Sequence, residues 1–243
     1  MFKPIIIVPV FNHHQSLNEI AHFCQSKGLP VLMIDDASNA ETKAVLRQVN
    51  KDFNNVYLET HQVNGGKGAA VITAIRKALE LGYSHALQID ADLQQDIDCV
   101  PKFLEFAMKS PNEFICGFPI YDHTVPSSRK WGRKLTNFWV CINTLSSAIK
   151  DAMCGFRVYP LRAACATLNK YPSIGRRMDF DPEYAVKLYW EGINVTNVPV
   201  PVTYPSDGVS HFHAIENWYI TKMHTRLFFG MILRFPRLLA RHF

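Results

Sequence analysis

The stretch Ala86-Leu87-Gln88-Ile89-Asp90-Ala91-Asp92-Leu93-Gln94 is a short apolar run that stops at two carboxylates followed by an amide. A run this short fits a strand buried on both faces, as in a parallel sheet covered by helices. Working outward from it, the same rhythm returns. Strands are expected at 5–10, 31–34, 56–58, 86–89 and 114–117, alternating with helices at 17–26, 40–49, 67–81 and 101–108. Parallel strands with crossover helices follow from that alternation, and ligands of such sheets bind beyond the carboxyl ends of the strands. The polar residues at those ends are therefore the ones to read.

Beyond residue 125 the pattern changes. Residues 125–150 begin basic, with Arg129, Lys130, Arg133 and Lys134, and then turn amphipathic, which predicts a helix lying across the active edge of the sheet. A turn is expected at Cys154-Gly155-Phe156-Arg157, a helix at 182–190 and a late strand at 194–198. Pro199, Pro201 and Pro205 then predict an irregular, extended segment. The expected architecture is α/β: a Rossmann-like, mostly parallel central sheet with helices on both faces, one domain over 1–208 and a basic amphipathic helical tail over 209–243.

Composition agrees with one globular domain: 243 residues, 48% hydrophobic and 19% charged. The six cysteines are scattered without a C-x-x-C pair, so neither a zinc site nor a disulfide framework is expected. The opening apolar run ends at Pro9, too short for a signal peptide, and there is no uninterrupted run of about 18 apolar residues for a membrane span. Much of the net charge of +5 is C-terminal, where Lys222, Arg226, Arg234, Arg237 and Arg241 face Glu216 alone. Leu, Ile, Met and aromatic residues interleave with these cations. That composition suits an interfacial helix at a membrane, or a helix packed on the domain, better than a nucleic-acid groove.

Three strand ends carry the chemistry. The first ends in Pro9-Val10-Phe11-Asn12 and the second in Asp35-Asp36-Ala37-Ser38, where a carboxylate can accept hydrogen bonds from a ribose or base, or cap the next helix. Asn64-Gly65-Gly66-Lys67-Gly68 precedes a helix, so its amides and lysine suit a diphosphate, although the glycines also suit an ordinary turn. The spacing differs from a Walker A loop. Asp90, Asp92 and Gln94 make an oxygen-rich set suited to Mg²⁺ or Mn²⁺, which prefer one or two carboxylates together with substrate phosphates.

In this order the motifs resemble those of family 2 glycosyltransferases of the GT-A fold, and especially the dolichyl-phosphate mannosyltransferase group. Gly155-Phe156-Arg157 and Phe180-Asp181-Pro182-Glu183 complete the match, which spans about residues 4–213. The resemblance implies that Pro9 and Asp35 line a nucleoside pocket supported by Asp36, with Asn12, Asn64 and Lys67 also on the donor side. It implies that Asp90, Asp92 and Gln94 hold metal and donor diphosphate, and that transfer inverts the anomeric centre. The chain departs from its relatives at His13-His14, where Glu is common, at Gln95-Asp96-Ile97-Asp98, which replaces His-Pro-Pro, and across 204–213.

The acceptor decides the rest of the mechanism. An alcohol needs a general base, for which Asp151, Asp179, Asp181 and Glu183 are candidates in segments that the resemblance places near the acceptor. A phosphate monoester is already ionised near neutrality, with a second pKa of about 6. Arg129, Arg133 and Arg157 would then bind it through their planar forks. The expected function is transfer from a nucleotide-diphosphate sugar to a lipid-linked acceptor, a polyprenyl phosphate or glycolipid, in cell-envelope polysaccharide or glycolipid synthesis. The expected location is cytoplasmic, peripheral at the inner face of the membrane. The alternatives are a soluble hydroxyl acceptor or a nucleotide-sugar-binding protein without turnover. His211 and His213 stand either as further metal ligands or as part of a capped tail.

Overall fold

The computed structural model describes residues 1–121, 125, 127–203 and 214–242. The motif at 204–213, with His211 and His213, lies outside the described residues, as does the side chain of Arg129. β1 (Pro4–Val10), β2 (Val31–Asp35), β3 (Val56–Thr60), β4 (His85–Gln88), β5 (Phe114–Tyr121), β6 (Arg157–Pro160) and β7 (Val195–Val202) form one sheet in the order β3-β2-β1-β4-β6-β5-β7. Only β6 is antiparallel to its neighbours. The chain moves outward from β1 to β3 and then returns to lay β4 on the other side of β1. Strand order therefore reverses between β1 and β4, which opens a crevice at their carboxyl ends. Asp90 and Asp92 leave β4 at that crevice.

Alternation along β1 sends its side chains into two cores. Ile5 and Ile7 pack with the apolar faces of α3 (Lys67–Glu80), α6 (Leu161–Lys170) and α7 (Phe180–Trp190). Ile6 and Val8 pack with α1 (Leu17–Ser26), α2 (Ala40–Asp52) and α4 (Val100–Lys109). Of these helices α2 alone has a side-chain cap, Asn39 accepting from the Thr42 amide at 2.9 Å. α7 is buried on every side, so its sequence lacks an amphipathic stripe, and its internal charges Glu183 and Lys187 pair with each other at 2.6 Å.

Three expectations are corrected by the geometry. Arg157 does not end a turn but begins β6, and α6 follows at once. β7 continues through Pro199 and Pro201 to Val202 rather than becoming irregular. It lies at the edge of the sheet, where a missing N–H costs no ladder bond. The helix expected over 125–150 is α5 (Ser127–Thr144), which ends where Leu145 turns left-handed at φ 51°.

The basic tail is α8 (Ala214–Leu239), packed against α5 and α7. Met223, Leu227, Met231 and Leu238 form its buried seam. Its arginines mostly turn inward as well. Arg226 forks onto the Glu183 carboxylate at 3.1 and 2.6 Å, Arg234 lies over the Trp190 ring and donates to the Tyr171 hydroxyl, and Arg241 donates to the Tyr189 carbonyl and Asn194. Their charge binds the helix to the domain. The outer face is apolar instead, with Trp218, Phe229, Ile232, Leu233 and Phe235 exposed.

Candidate active site

Non-glycine residues in the left-handed region mark the carboxyl ends of three adjacent strands. Asn12 (φ 50°) follows β1, Ala37 (φ 58°) follows β2 and Leu93 (φ 48°) follows β4. Such conformations cost on the order of 1 to 3 kcal/mol each and gather where a site dictates the backbone. Cross-links hold them: the Asn12 amide donates to Ser38 Oγ at 3.1 Å, and Asn39 N–H donates to Asn12 Oδ1 at 2.7 Å. Ser16 Oγ donates to the Ala91 carbonyl at 2.5 Å, tying the loop after β1 to the carboxylate motif.

Asp35 and Asp36 divide their work. Asp35 is buried and accepts from the Ser38 amide at 2.8 Å. Asp36 is saturated by its own chain: Gly65 and Gly66 amides donate to its two oxygens at 2.9 and 2.7 Å, and His61 Nδ1 lies 2.7 Å from Oδ1. His61 Nε2 in turn lies 2.9 Å from Thr73 Oγ1 on α3, and Asn64 Nδ2 donates to the Asp36 carbonyl at 3.2 Å. The reading of this loop as a bare diphosphate cradle is therefore corrected. The Gly65 and Gly66 amides face Asp36, and the Ala69 amide donates to the Arg176 carbonyl. Gly66 needs its φ of 91°, and a Cβ on Gly68 would lie 2.4 Å from Phe180 Cβ, so these glycines let α3 meet the segment before α7.

The lysine of that loop reaches the carboxylates that follow β4. Lys67 Nζ sits 2.8 Å from Asp90 Oδ1 and 3.1 Å from Asp181 Oδ2, and Arg157 lies behind, 3.4 Å from Asp181. Burial alone would lower the Lys67 pKa, but the Asp181 and Asp90 carboxylates outweigh it and hold the ammonium above its usual range. Burial likewise favours neutral Asp181, and Lys67 and Arg157 override that to keep it ionised. Asp92 is exposed, with Oδ1 accepting from the Gln94 amide at 3.1 Å. Crowding by protein atoms, and next the charge of Asp90, push its pKa up. Gly155 leaves room for Asp90, since a Cβ there would lie 2.4 Å from its carboxylate. Among the described residues no three His, Cys, Asp or Glu side chains converge as a closed metal site.

Of the residues expected on the acceptor side, most are committed to partners within the chain. Arg157 is fully buried, and its guanidinium donates to the carbonyls of Cys154, Asp181 and Ala152, so it is corrected from a phosphate ligand to a core brace. Arg133 forks onto Asp151 at 3.1 and 2.9 Å. Burial would raise the Asp151 pKa, yet Arg133 and hydrogen bonds from Met153, Asn137 and Cys154 hold the carboxyl below its usual range. Glu183 accepts from Gly175 and Arg226 and pairs with Lys187. Asp179 alone of the four acids makes no ion pair among the described residues, and burial raises its pKa. Sequence reading missed His61, although it stands just past the carboxyl end of β3, the position the strand-end rule singles out. It also missed Arg176 and Arg177, which are exposed and press on Gly66.

The sheet reverses between β1 and β4 with an oxygen-rich carboxylate motif at the reversal, and the fold is the GT-A fold of the solved structures it matches. The chain belongs to the family "Glycosyl transferase family 2", whose model matches residues 5–166, and is a glycosyltransferase. It is 22% identical over 82% of its length to UDP-N-acetylglucosamine–dolichyl-phosphate N-acetylglucosaminyltransferase of Methanococcus voltae, spanning 85% of that protein. It is 24% identical over 80% of its length to a dolichyl-phosphate beta-glucosyltransferase of Trichomonas vaginalis, spanning 64% of it. Its fold is similar to that of Mycobacterium tuberculosis glucosyl-3-phosphoglycerate synthase, solved with Mn²⁺, UDP-glucose and phosphoglyceric acid: TM-score 0.66, 9% identity, 95% of this chain and 79% of that one. It is similar also to Staphylococcus aureus TarS, with TM-score 0.56 and 15% identity over 84% of this chain, which spans 37% of that longer one.

Proposed function

We propose that this glycosyltransferase moves a sugar, with inversion, from a nucleoside-diphosphate sugar to a lipid phosphate at a membrane surface. One observation carries the choice of acceptor. An alcohol would need a free base, and of the four candidates Asp151, Asp181 and Glu183 are each buried in ion pairs, which leaves Asp179 alone, its Oδ1 accepting from the Arg177 amide at 3.1 Å. A phosphate monoester needs no deprotonation near neutral pH. The names of the two dolichyl-phosphate relatives support the same acceptor class. Exposed Arg176 and Arg177, whose backbone runs beside Gly66, are our candidates for binding the phosphate, together with Arg133 once released from Asp151.

Donor activation rests on Asp90 and Asp92, with Gln94 beside them. Asp90 Oδ1 is buried, close to Lys67 but without an aligned hydrogen bond, and every donor group of the motif is oxygen, which fits Mg²⁺ or Mn²⁺. A bound ion would act as Lewis acid on the leaving diphosphate. Asp35, Pro9 and Asn12 stand at the carboxyl ends of β2 and β1, where a nucleoside would lie.

The membrane reading rests on the outer faces of two neighbouring helices. Trp131, Leu135 and Phe138 are exposed on α5 beside Lys130 and Lys134, and the exposed apolar face of α8 adjoins them through Trp139 and Phe228. Aromatic and basic residues together suit the headgroup boundary of an anionic bilayer. No described helix is long and apolar enough to cross a membrane. The exposed aromatic and basic residues of α5 and α8 support a peripheral position, which we assign to the cytoplasmic face as part of the same proposal.

The test is transfer from radiolabelled UDP-GlcNAc or UDP-glucose, with Mn²⁺, to polyprenyl phosphate, polyprenol or a soluble sugar alcohol. Label should enter only the lipid phosphate. Transfer to either alcohol but not to the phosphate would overturn the acceptor assignment.

A further inference from the structure

Lys67 stands in an unusual place for a donor-binding lysine. It bridges two carboxylates, Asp90 at 2.8 Å and Asp181 at 3.1 Å, with four-fifths of its side chain covered. Asp181 has a second cation, Arg157, fully buried at 3.4 Å and braced by three carbonyls, so it keeps a partner whatever Lys67 does. Among the described residues Asp90 has no other cation: beyond Lys67, its one side-chain partner there is a weak 3.4 Å bond from Gln95. A divalent ion on Asp90 would bring a double positive charge close to the Lys67 ammonium, and the two repel strongly in a partly buried site unless a further anion arrives.

We propose that Lys67 is a placeholder cation for the metal site, neutralising Asp90 while the divalent ion is absent and surrendering that carboxylate when the ion binds. The proposal rests on the reading of Asp90 and Asp92 as metal ligands and adds an order to it. A divalent ion arriving alone must displace Lys67 from Asp90 and then sit near an ammonium that has lost half its pairing. An ion arriving with a diphosphate brings Lys67 a new anionic partner. Lys67 is the first residue of α3, directly after Gly66, and its four-carbon stem is long enough to carry the head from Asp90 to a neighbouring phosphate by side-chain rotation. The ion and the diphosphate therefore load cooperatively, and Lys67 carries the coupling.

The experiment is titration of the full chain with Mn²⁺ alone, and with Mn²⁺ plus UDP, followed by the EPR signal of free Mn²⁺. The wild type, Lys67→Gln and Lys67→Arg are compared, with each variant's fold checked by circular dichroism. In the wild type Mn²⁺ alone should bind weakly and UDP should strengthen it. In Lys67→Gln the affinity for Mn²⁺ alone should rise by about tenfold or more, and UDP should add less. Lys67→Arg, which keeps the cation, should stay near wild type. Unchanged or weaker Mn²⁺ binding in a folded Lys67→Gln would overturn the placeholder while leaving the metal site intact. No Mn²⁺ binding by the wild type, with or without UDP, would overturn the metal site itself and the placeholder with it. Should Lys67→Gln not fold, the wild type supplies a second reading. Acetylation of Lys67 by an amine-reactive ester, read by mass spectrometry, should speed up when saturating Mn²⁺ takes Asp90 away, and an unchanged rate would reject the proposal.

Discussion

The Asp36 carboxylate holds the Gly66 amide at 2.7 Å, so the end of β2 and the loop before α3 form one rigid unit although 30 residues separate them. His61 extends that unit from β3 to Thr73. Asp36 thus fixes the loop from which Lys67 projects.

Asp36→Asn should loosen that unit. The amide keeps one acceptor oxygen but presents N–H groups to the Gly65 or Gly66 amide, leaving a donor without an acceptor. We expect a loss of about 1 to 3 kcal/mol in stability, read from the denaturant midpoint. The KM for the nucleotide sugar should rise more than kcat falls; a fall in kcat alone at unchanged stability would contradict the positioning role.

Stability should weaken in mild acid because of His224. It is buried between α5 and α8, its Nε2 has no hydrogen-bond partner among the described residues, and burial pushes its pKa from 6.5 down to about 4. The unfolded chain takes a proton near pH 6.5, which the folded chain refuses until about 4. The stabilisation is therefore complete above pH 7 and is lost as pH falls through that window, by about 2 to 4 kcal/mol. Urea midpoints at pH 7 and pH 5 check this, and His224→Leu should flatten the difference.

Glu183→Gln should cost about 3 kcal/mol, because the Lys187 ammonium would stay buried beside a neutral amide and Arg226 would lose its carboxylate. Its kcat, measured below the melting range, should stay within about threefold of wild type. A large loss of kcat at unchanged stability would instead make Glu183 the base.

Removing the whole tail would strip Met223, Leu227 and Met231 from the core, so point changes on its outer face are the cleaner probe of membrane contact. Phe229→Ser with Leu233→Ser should lower co-sedimentation with anionic vesicles by about tenfold while leaving the melting temperature within a few degrees. Unchanged co-sedimentation would reject this face as the contact.

The sheet was legible because its strands are short apolar runs set between amphipathic helices. β6 was not: Arg-Val-Tyr-Pro opens on an arginine and closes on a proline, and it is a strand because Arg157 finds three carbonyls in the core. β7 was cut short because prolines argue against a central strand, and nothing local says that a strand is an edge. Asp90 and Asp92 were legible from their place after an apolar run. The partners that occupy Asp151, Asp181 and Glu183 were not, since pairings such as Arg133 with Asp151 or Arg226 with Glu183 join distant parts of the chain. The tail showed its apolar and basic content plainly, but only the packing distinguishes arginines turned to the domain from aromatics turned outward.

The central claim is that Asp90 and Asp92 hold a divalent ion against the diphosphate of a nucleotide sugar. The most direct measurement is calorimetric binding of a panel of nucleotide sugars with and without Mn²⁺, to the wild type and to Asp92→Ala. The account predicts that at least one binds in a metal-dependent way, and that Asp92→Ala weakens this binding by at least about tenfold. Metal-independent binding, equal binding by Asp92→Ala, or no binding of any nucleotide sugar with Mn²⁺ present would contradict it.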